Sequence, residues 1–167
     1  VQVGTSSWTQ VNGGYYDSYA LRTDGRMFAW GYNNTGLVGD GTTISKSSPI
    51  QLGTSSWSSV YANVSTSVYA TQPNGTVWAW GGQGANGNLN DGTTINRSSP
   101  VQIGTLNNTS FTQIAAHYYN AAGIDTVGRV WAWGYNSNYN LGLSPAATAN
   151  SSSPAVVGTL SLGDVTK

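Results

Sequence analysis

The tetrapeptide Phe28-Ala29-Trp30-Gly31 recurs as Trp78-Ala79-Trp80-Gly81 and again as Trp131-Ala132-Trp133-Gly134, at steps of 50 and 53 residues. Self-similarity at such a period marks a repeat architecture, and the flanks extend it. Ahead of each copy stands a turn: Thr23-Asp24-Gly25-Arg26, Pro73-Asn74-Gly75-Thr76 and Thr126-Val127-Gly128-Arg129. Behind each runs a polar loop ending in Ser47-Ser48-Pro49, Ser98-Ser99-Pro100 or Ser152-Ser153-Pro154. Short apolar segments close the units: Ile50-Gln51-Leu52-Gly53, Val101-Gln102-Ile103-Gly104 and Ala155-Val156-Val157-Gly158. The following unit opens with an aromatic and then a β-branched residue, as in Trp8 with Val11, Trp57 with Val60, and Phe111 with Ile114.

Trp-Ala-Trp has a period of two, which sets both indoles on one face of a strand and Ala on the other. Asp24-Gly25 and Asn74-Gly75 are hairpin signals, because Gly and Asn tolerate positive φ. In unit one the expected strands are 8–12, 18–22, 27–30 and 49–52, and no segment carries sustained helical periodicity. Four antiparallel strands at a period near 50 define an all-β fold of β-propeller blades, about three of them. The units run over about 5–53, 54–104 and 105–158, within a single repeat region spanning 1–167. Residues 1–4 read as a lone closing strand and 159–167 as a lone opening strand. Such unpaired edges invite pairing with another chain, so self-association through them is expected. Trp8, Trp30, Trp57, Trp78, Trp80, Phe111, Trp131 and Trp133 are assigned to the core between blades.

Composition removes several classes of function. Of 167 residues only 7% are charged; six Lys and Arg balance six acids, all Asp, for a net charge of zero. A neutral chain with dispersed basic residues does not neutralise a run of phosphates, so no nucleic-acid partner is expected. No apolar run approaches the roughly 20 residues that cross a bilayer, so no membrane insertion is expected. The absence of Cys excludes disulfides and thiolate zinc sites. Ser, Thr and Asn number 56. An aromatic content of 11% nonetheless argues for a packed core over disorder.

The units resemble the regulator of chromosome condensation repeat, through Trp8, Val11, Ala20-Leu21, Asp24-Gly25, Ala29-Trp30-Gly31, Asn33 or Asn34, Gly36, Gly39-Asp40-Gly41 and Pro49. The resemblance implies a propeller, usually of seven blades. Members that act on a small GTPase carry a His shortly before the Ala-Leu pair; here Asp17, Ser67 and Asn120 occupy that slot. The Gly-Trp-Arg-His-Thr motif of the plant ultraviolet-B photoreceptor is absent. The polar Thr/Ser/Asn/Gly style is similar to repeats of bacterial surface and phage fibre proteins, which suggests an extracellular or virion location.

No catalytic constellation appears. The sole His, His117, has no Ser, Cys or acid in a triad-like arrangement near it. Asp24, Asp40 and Asp91 suit turns that bond their own backbone. No metal or cofactor is expected. The residues that break the repeat are the candidates for binding: Tyr15, Tyr16 and Asp17; Tyr32, Asn33 and Asn34; His117, Tyr118, Tyr119 and Asn120; and Tyr135, Asn136 and Tyr139. Tyr offers large contact area at low entropic cost, and loops on a rigid scaffold carry function. The expected role is a non-enzymatic binding or assembly module recognising a protein or glycan. The alternative is a regulatory propeller that binds an enzyme or small GTPase as inhibitor or exchange factor.

Overall fold

A computed structural model describes residues 4–62, 67–82, 87–103, 110–143 and 150–157. Among the described residues it contains twelve strands and no helix. Blade 1 comprises β1 (Trp8–Gly13), β2 (Asp17–Arg22), β3 (Met27–Gly31) and β4 (Lys46–Gln51). Blade 2 comprises β5 (Ser59–Ala62), β6 (Ser67–Thr71), β7 (Val77–Gly81) and β8 (Arg97–Ile103). Blade 3 comprises β9 (Phe111–His117), β10 (Asn120–Asp125), β11 (Val130–Gly134) and β12 (Ser151–Val156). Each blade is an antiparallel meander in chain order. Of the expected lone strands at 1–4 and 159–167, all but Gly4 lie outside the described residues, and so does the self-association built on them.

The turns form as their residues dictate. Gly25, Gly75 and Gly128 close the β2–β3, β6–β7 and β10–β11 turns at φ of 81°, 80° and 84°, each N–H donating to the carbonyl three residues back. Asp24 Oδ1 and Asn74 Oδ1 accept from the N–H groups of Arg26 and Thr76. The fourth strands differ from expectation. In blade 1 the strand begins at Lys46, so Ser47-Ser48-Pro49 lies inside it. The ladder pairs Ala29 with Ile50 and Gly31 with Lys46, leaving a bulge between them. A bulged outer strand tolerates a Pro that has no N–H to donate.

The first strands of successive blades are neighbours. Gln10 Nε2 donates to the Val60 carbonyl at 2.8 Å and Gln10 Oε1 accepts the Val60 N–H at 2.9 Å, stitching β1 to β5. Each blade presents two unlike faces. The leading face of blade 2, with Trp57, Val60, Val68, Trp78 and Trp80, packs on Tyr19, Leu21, Met27 and Ala29 from the trailing face of blade 1. Blade 3 repeats this with Phe111, Ile114, Trp131 and Trp133 against Tyr69, Val77 and Ala79. Indole on one face and Ala on the other is therefore the packing rule between blades.

The rule also sets how far each residue of the expected core is covered. Trp80 and Trp133 are fully buried, but Trp8 and Trp30 are only half-buried, and Trp78 is covered in part by blade 1. Trp8 and Trp30 belong to the leading face of blade 1, which no described blade covers. Val11 on that face is 74% exposed, whereas its counterparts Val60 and Ile114 are buried.

Candidate functional site

The β1–β2 and β9–β10 turns and the segments after β3 and β11 meet at one end of their blades, and this rim carries most of the repeat-breaking residues. In blade 1 the Tyr32 N–H donates to the Tyr16 carbonyl at 2.9 Å; in blade 3 the Tyr135 N–H donates to the Tyr119 carbonyl at 2.8 Å. Gly31 and Gly134 make that approach possible. Their φ values are 115° and 101°, and a Cβ on either would collide with the carbonyl of Tyr16 or Tyr119. The glycine ending each Trp-Gly pair is thus a backbone requirement of the rim.

On this frame the rings form two matching ladders. Tyr15 and Tyr16 meet edge to face at 4.4 Å, and Tyr16 meets Tyr32 at 5.8 Å. Tyr118 and Tyr119 also meet at 4.4 Å, and Tyr119 meets Tyr135 at 6.1 Å. Edge-to-face pairing restrains rings that remain open to solvent. Tyr15 and Tyr16 are each 67% exposed, and Tyr32, Tyr118, Tyr119 and Tyr139 are exposed as well. Asn34 is exposed, and His117 is an exposed strand end paired with Asn120.

Three residues expected on this surface sit beneath it. Asn33 is fully buried: its Oδ1 accepts the Val38 N–H at 2.8 Å, and its Nδ2 donates to the carbonyls of Thr42 and Ile44. Asn136 is likewise buried, its Oδ1 accepting the Leu141 N–H at 3.0 Å. Both are internal pillars that replace missing backbone partners in the loop. Asp17 is buried at the start of β2, with its Oδ2 2.8 Å from the Tyr19 hydroxyl. Burial raises its pKa above the ordinary carboxylate value, more than the Tyr19 bond lowers it. Burial also pushes the Tyr19 hydroxyl well up, reinforced by the Asp17 charge.

Tyr139 was expected on this surface from sequence, but its backbone conformation was not. Tyr139 has φ 59° where blades 1 and 2 carry Gly36 and Gly87, and a Cβ at those glycines would press on Ser98 and Ser152 of the next blade. Blade 3 thus departs from the repeat at a position the other two keep as Gly, and it exposes an aromatic ring there. The signal was legible in principle, as a non-glycine at a position where the other two blades keep glycine; Asn90, at φ 62° where blades 1 and 3 carry Gly39 and Gly142, is a second such departure. Among the described residues no cluster of His, Asp or Glu has the geometry to hold a metal ion.

A model of the regulator of chromosome condensation (RCC1) repeat matches residues 24–66, 74–124 and 127–167, and a second model of the same repeat matches 8–36. The ultraviolet-B receptor UVR8 of Arabidopsis thaliana is 34% identical over 101 residues, covering 59% of this chain and 22% of the receptor. The mitochondrial RCC1 domain-containing protein RUG3 of the same plant is 27% identical, over 75% of this chain and 30% of its own length. Yeast RCC1 (Prp20), solved bound to Kap60, superposes with a TM-score of 0.80 at 17% identity, over 92% of this chain and 37% of that one. The chain therefore spans about a quarter of the length of the two plant relatives. Prp20p has also been solved in a study of its binding to Gsp1p and histones. The mitochondrial relative RUG3 overturns the extracellular or virion location expected from composition. Of these relatives, Prp20 is recorded with protein partners, Kap60, Gsp1p and histones; the expected glycan partner and self-association gain no support.

Proposed function

The chain belongs to the regulator of chromosome condensation repeat family, and on that footing we propose that it is a non-enzymatic regulatory module that binds a folded protein partner through its tyrosine rim. The observation that carries this reading is the repetition of the same three-ring ladder on blades 1 and 3 in the same backbone frame. Rigid, exposed Tyr side chains are the residue type that supplies contact area at an interface without much loss of conformational freedom. The ladders themselves are built from tyrosine rings alone, so the partner surface they meet is apolar and hydrogen-bonding in character. That the partner is an enzyme or a small GTPase accords with the family relative studied with Gsp1p. The buried Asp17 in the slot where a His is expected argues that any such contact is made by the tyrosines.

Affinity capture with the full chain, quantified against a Tyr16→Ser/Tyr119→Ser variant, tests the reading. A protein held by the wild type and lost with the variant, while the variant keeps its melting temperature, is the expected result. Equal capture by both would remove the rim from partner binding. Retention of a glycan ligand by the wild type, with no protein partner, would return the function to carbohydrate recognition.

A further inference from the structure

Asp17 opens β2 one residue after Tyr16 of the rim, and its side chain is buried. Its Oδ2 lies 2.8 Å from the Tyr19 hydroxyl, and the same hydroxyl lies 2.7 Å from the Leu37 carbonyl. Trp80 of blade 2 donates to that carbonyl at 2.8 Å. A chain of bonds thus runs from Asp17 through Tyr19 and Leu37 into the junction between blades 1 and 2.

Counting protons along this chain fixes the state of its first member. Two oxygen–oxygen contacts of hydrogen-bond length need two protons. Tyr19 has one, and burial keeps it there by pushing the hydroxyl pKa well up. The Leu37 carbonyl has none. The second proton therefore belongs to Asp17, which donates from Oδ2 to Tyr19 while Tyr19 donates to Leu37. With Asp17 ionised, one of the two contacts would press lone pairs together.

Blade 2 supplies a comparison. Ser67 is the equivalent of Asp17, since Asp17 pairs with Gly31 and Ser67 with Gly81. Tyr69, the equivalent of Tyr19, spends its proton on the Asn88 carbonyl. The Ser67 hydroxyl also bonds Tyr69, and so acts as the donor. The slot holds a neutral O–H donor in blade 2, and a protonated carboxyl is its counterpart in blade 1. Blade 3 has Asn120 and Ala122 at these positions, with no phenol to receive a bond.

The surroundings oppose a charge. Asp24, Asp40, Asp91 and Asp125 each pair with Arg or Lys, and Asp17 alone among the described Asp residues pairs with no cation. Its Oδ1 is buried with no hydrogen-bond partner among the described residues. The N–H groups of Asp17 itself and of Gly14 approach the carboxyl without closing a bond to Oδ1. β1 and β3, which flank β2, and β5, packed on it from blade 2, carry no charged side chain. Asp40, in the loop after β3, is neutralised by Lys46. A carboxylate buried here without a counter-ion is costly, and burial accordingly raises the Asp17 pKa.

We propose that Asp17 is a neutral carboxylic acid in the folded chain, and that its ionisation is a switch on the junction between blades 1 and 2. On ionisation the Asp17 O–H bond breaks and its proton passes to water. The Tyr19 hydroxyl then turns its own proton from the Leu37 carbonyl to the carboxylate. Leu37 keeps only Trp80 of its two donors, with the Tyr19 lone pairs now set against it, so its segment shifts relative to Trp80. The switch stands apart from partner binding at the rim, and neither proposal depends on the other.

The test is nuclear magnetic resonance of the ¹³C- and ¹⁵N-labelled full chain across a pH series, following the Asp17 carboxyl carbon and the Trp80 indole N–H together. Both are expected to titrate with one common midpoint, above the ordinary carboxylate value. Asp17→Asn, whose amide donates to Tyr19 at every pH, and Asp17→Ser, which copies Ser67, are expected to abolish the Trp80 transition. In Tyr19→Phe the carboxyl is expected to titrate while Trp80 no longer follows it. A carboxyl carbon that titrates at or below the ordinary value would overturn the proposal. So would a Trp80 resonance that ignores the Asp17 titration, or one that still moves in Asp17→Asn and Asp17→Ser. Trp80 following Asp17 unchanged in Tyr19→Phe would overturn the route through the hydroxyl.

Discussion

The indole nitrogen of Trp133 in blade 3 donates to the hydroxyl of Tyr69 in blade 2 at 3.2 Å, across 64 residues of sequence. The Tyr69 hydroxyl in turn donates to the Asn88 carbonyl. Burial raises the Tyr69 pKa to about 12, so the hydroxyl stays protonated and able to relay the two bonds. Tyr69→Phe keeps the ring and strands both partners without their bond. It is expected to cost about 1–3 kcal/mol, measured by urea unfolding.

Gly31→Ala forces a side chain into a positive φ and against the Tyr16 carbonyl. A loss on the order of 1–3 kcal/mol is expected, with a change in the near-ultraviolet dichroism of the tyrosines as the ladder is pushed apart. Gly134→Ala should do the same to the second ladder. Gly53→Ala is the control: its φ is also positive, at 55°, but a Cβ there meets nothing within 4 Å, so only the smaller conformational part of the loss is expected.

Asn33→Ala removes a buried side chain that bonds the Val38 N–H and two loop carbonyls, and a destabilisation of about 2 kcal/mol is expected. Asn34→Ala, one residue on and exposed, should change stability by less than about 0.5 kcal/mol. Parallel thermal melts of the two variants check the contrast.

Asp17 carries a pH dependence of defined sign. Its folded-state pKa lies above the ordinary value because burial disfavours the charge. The native state therefore holds the proton more tightly than the unfolded chain. Stability falls as pH rises from the ordinary carboxylate range through the raised value, and the loss is complete above it. Asp17→Asn is expected to raise the melting temperature at pH 7, with the gain shrinking as pH falls through the raised value and gone below about 4. Asp125 has the opposite sense. Bonds from Trp131 and Arg129 outweigh its desolvation and lower its pKa, so its contribution is present at neutral pH and lost on acidification.

The repeat was readable because Trp-Ala-Trp-Gly, the Gly-bearing turns and Ser-Ser-Pro recur at nearly constant spacing, and each has one local solution. Strand ends were less so. Ser47 and Ser48 look like loop residues, and only pairing with β3 makes them strand. The rim was legible as a set of residues but not as a surface. Asn33 and Asn34 are chemically identical neighbours, and which one turns inward is decided by where the Val38 N–H falls. The repeat of Asn33 at Asn136 was the available sign, since a polar residue kept at the repeat period more often supports a loop than a ligand. Asp17 misled for a related reason: it opens β2, so its side chain is fixed by strand alternation and not by the turn. Trp57 could be placed in the core from its spacing, but that its buried indole N–H meets no acceptor among the described residues is a three-dimensional fact.

The unlikeness of the two faces of each blade gives the molecule a one-dimensional energetics. Stability divides into terms within blades and terms at junctions between consecutive ones, as in any linear array of repeats. Two such junctions are described, one centred on Trp80 against Tyr19 and Leu37, the other on Trp133 against Tyr69. Damage at one junction does not weaken the other directly; it severs cooperativity at that point. Trp80→Ala would uncouple blade 1 from blades 2 and 3 and split a single melting transition into two, whereas Trp133→Ala would release blade 3 and leave the first pair melting together.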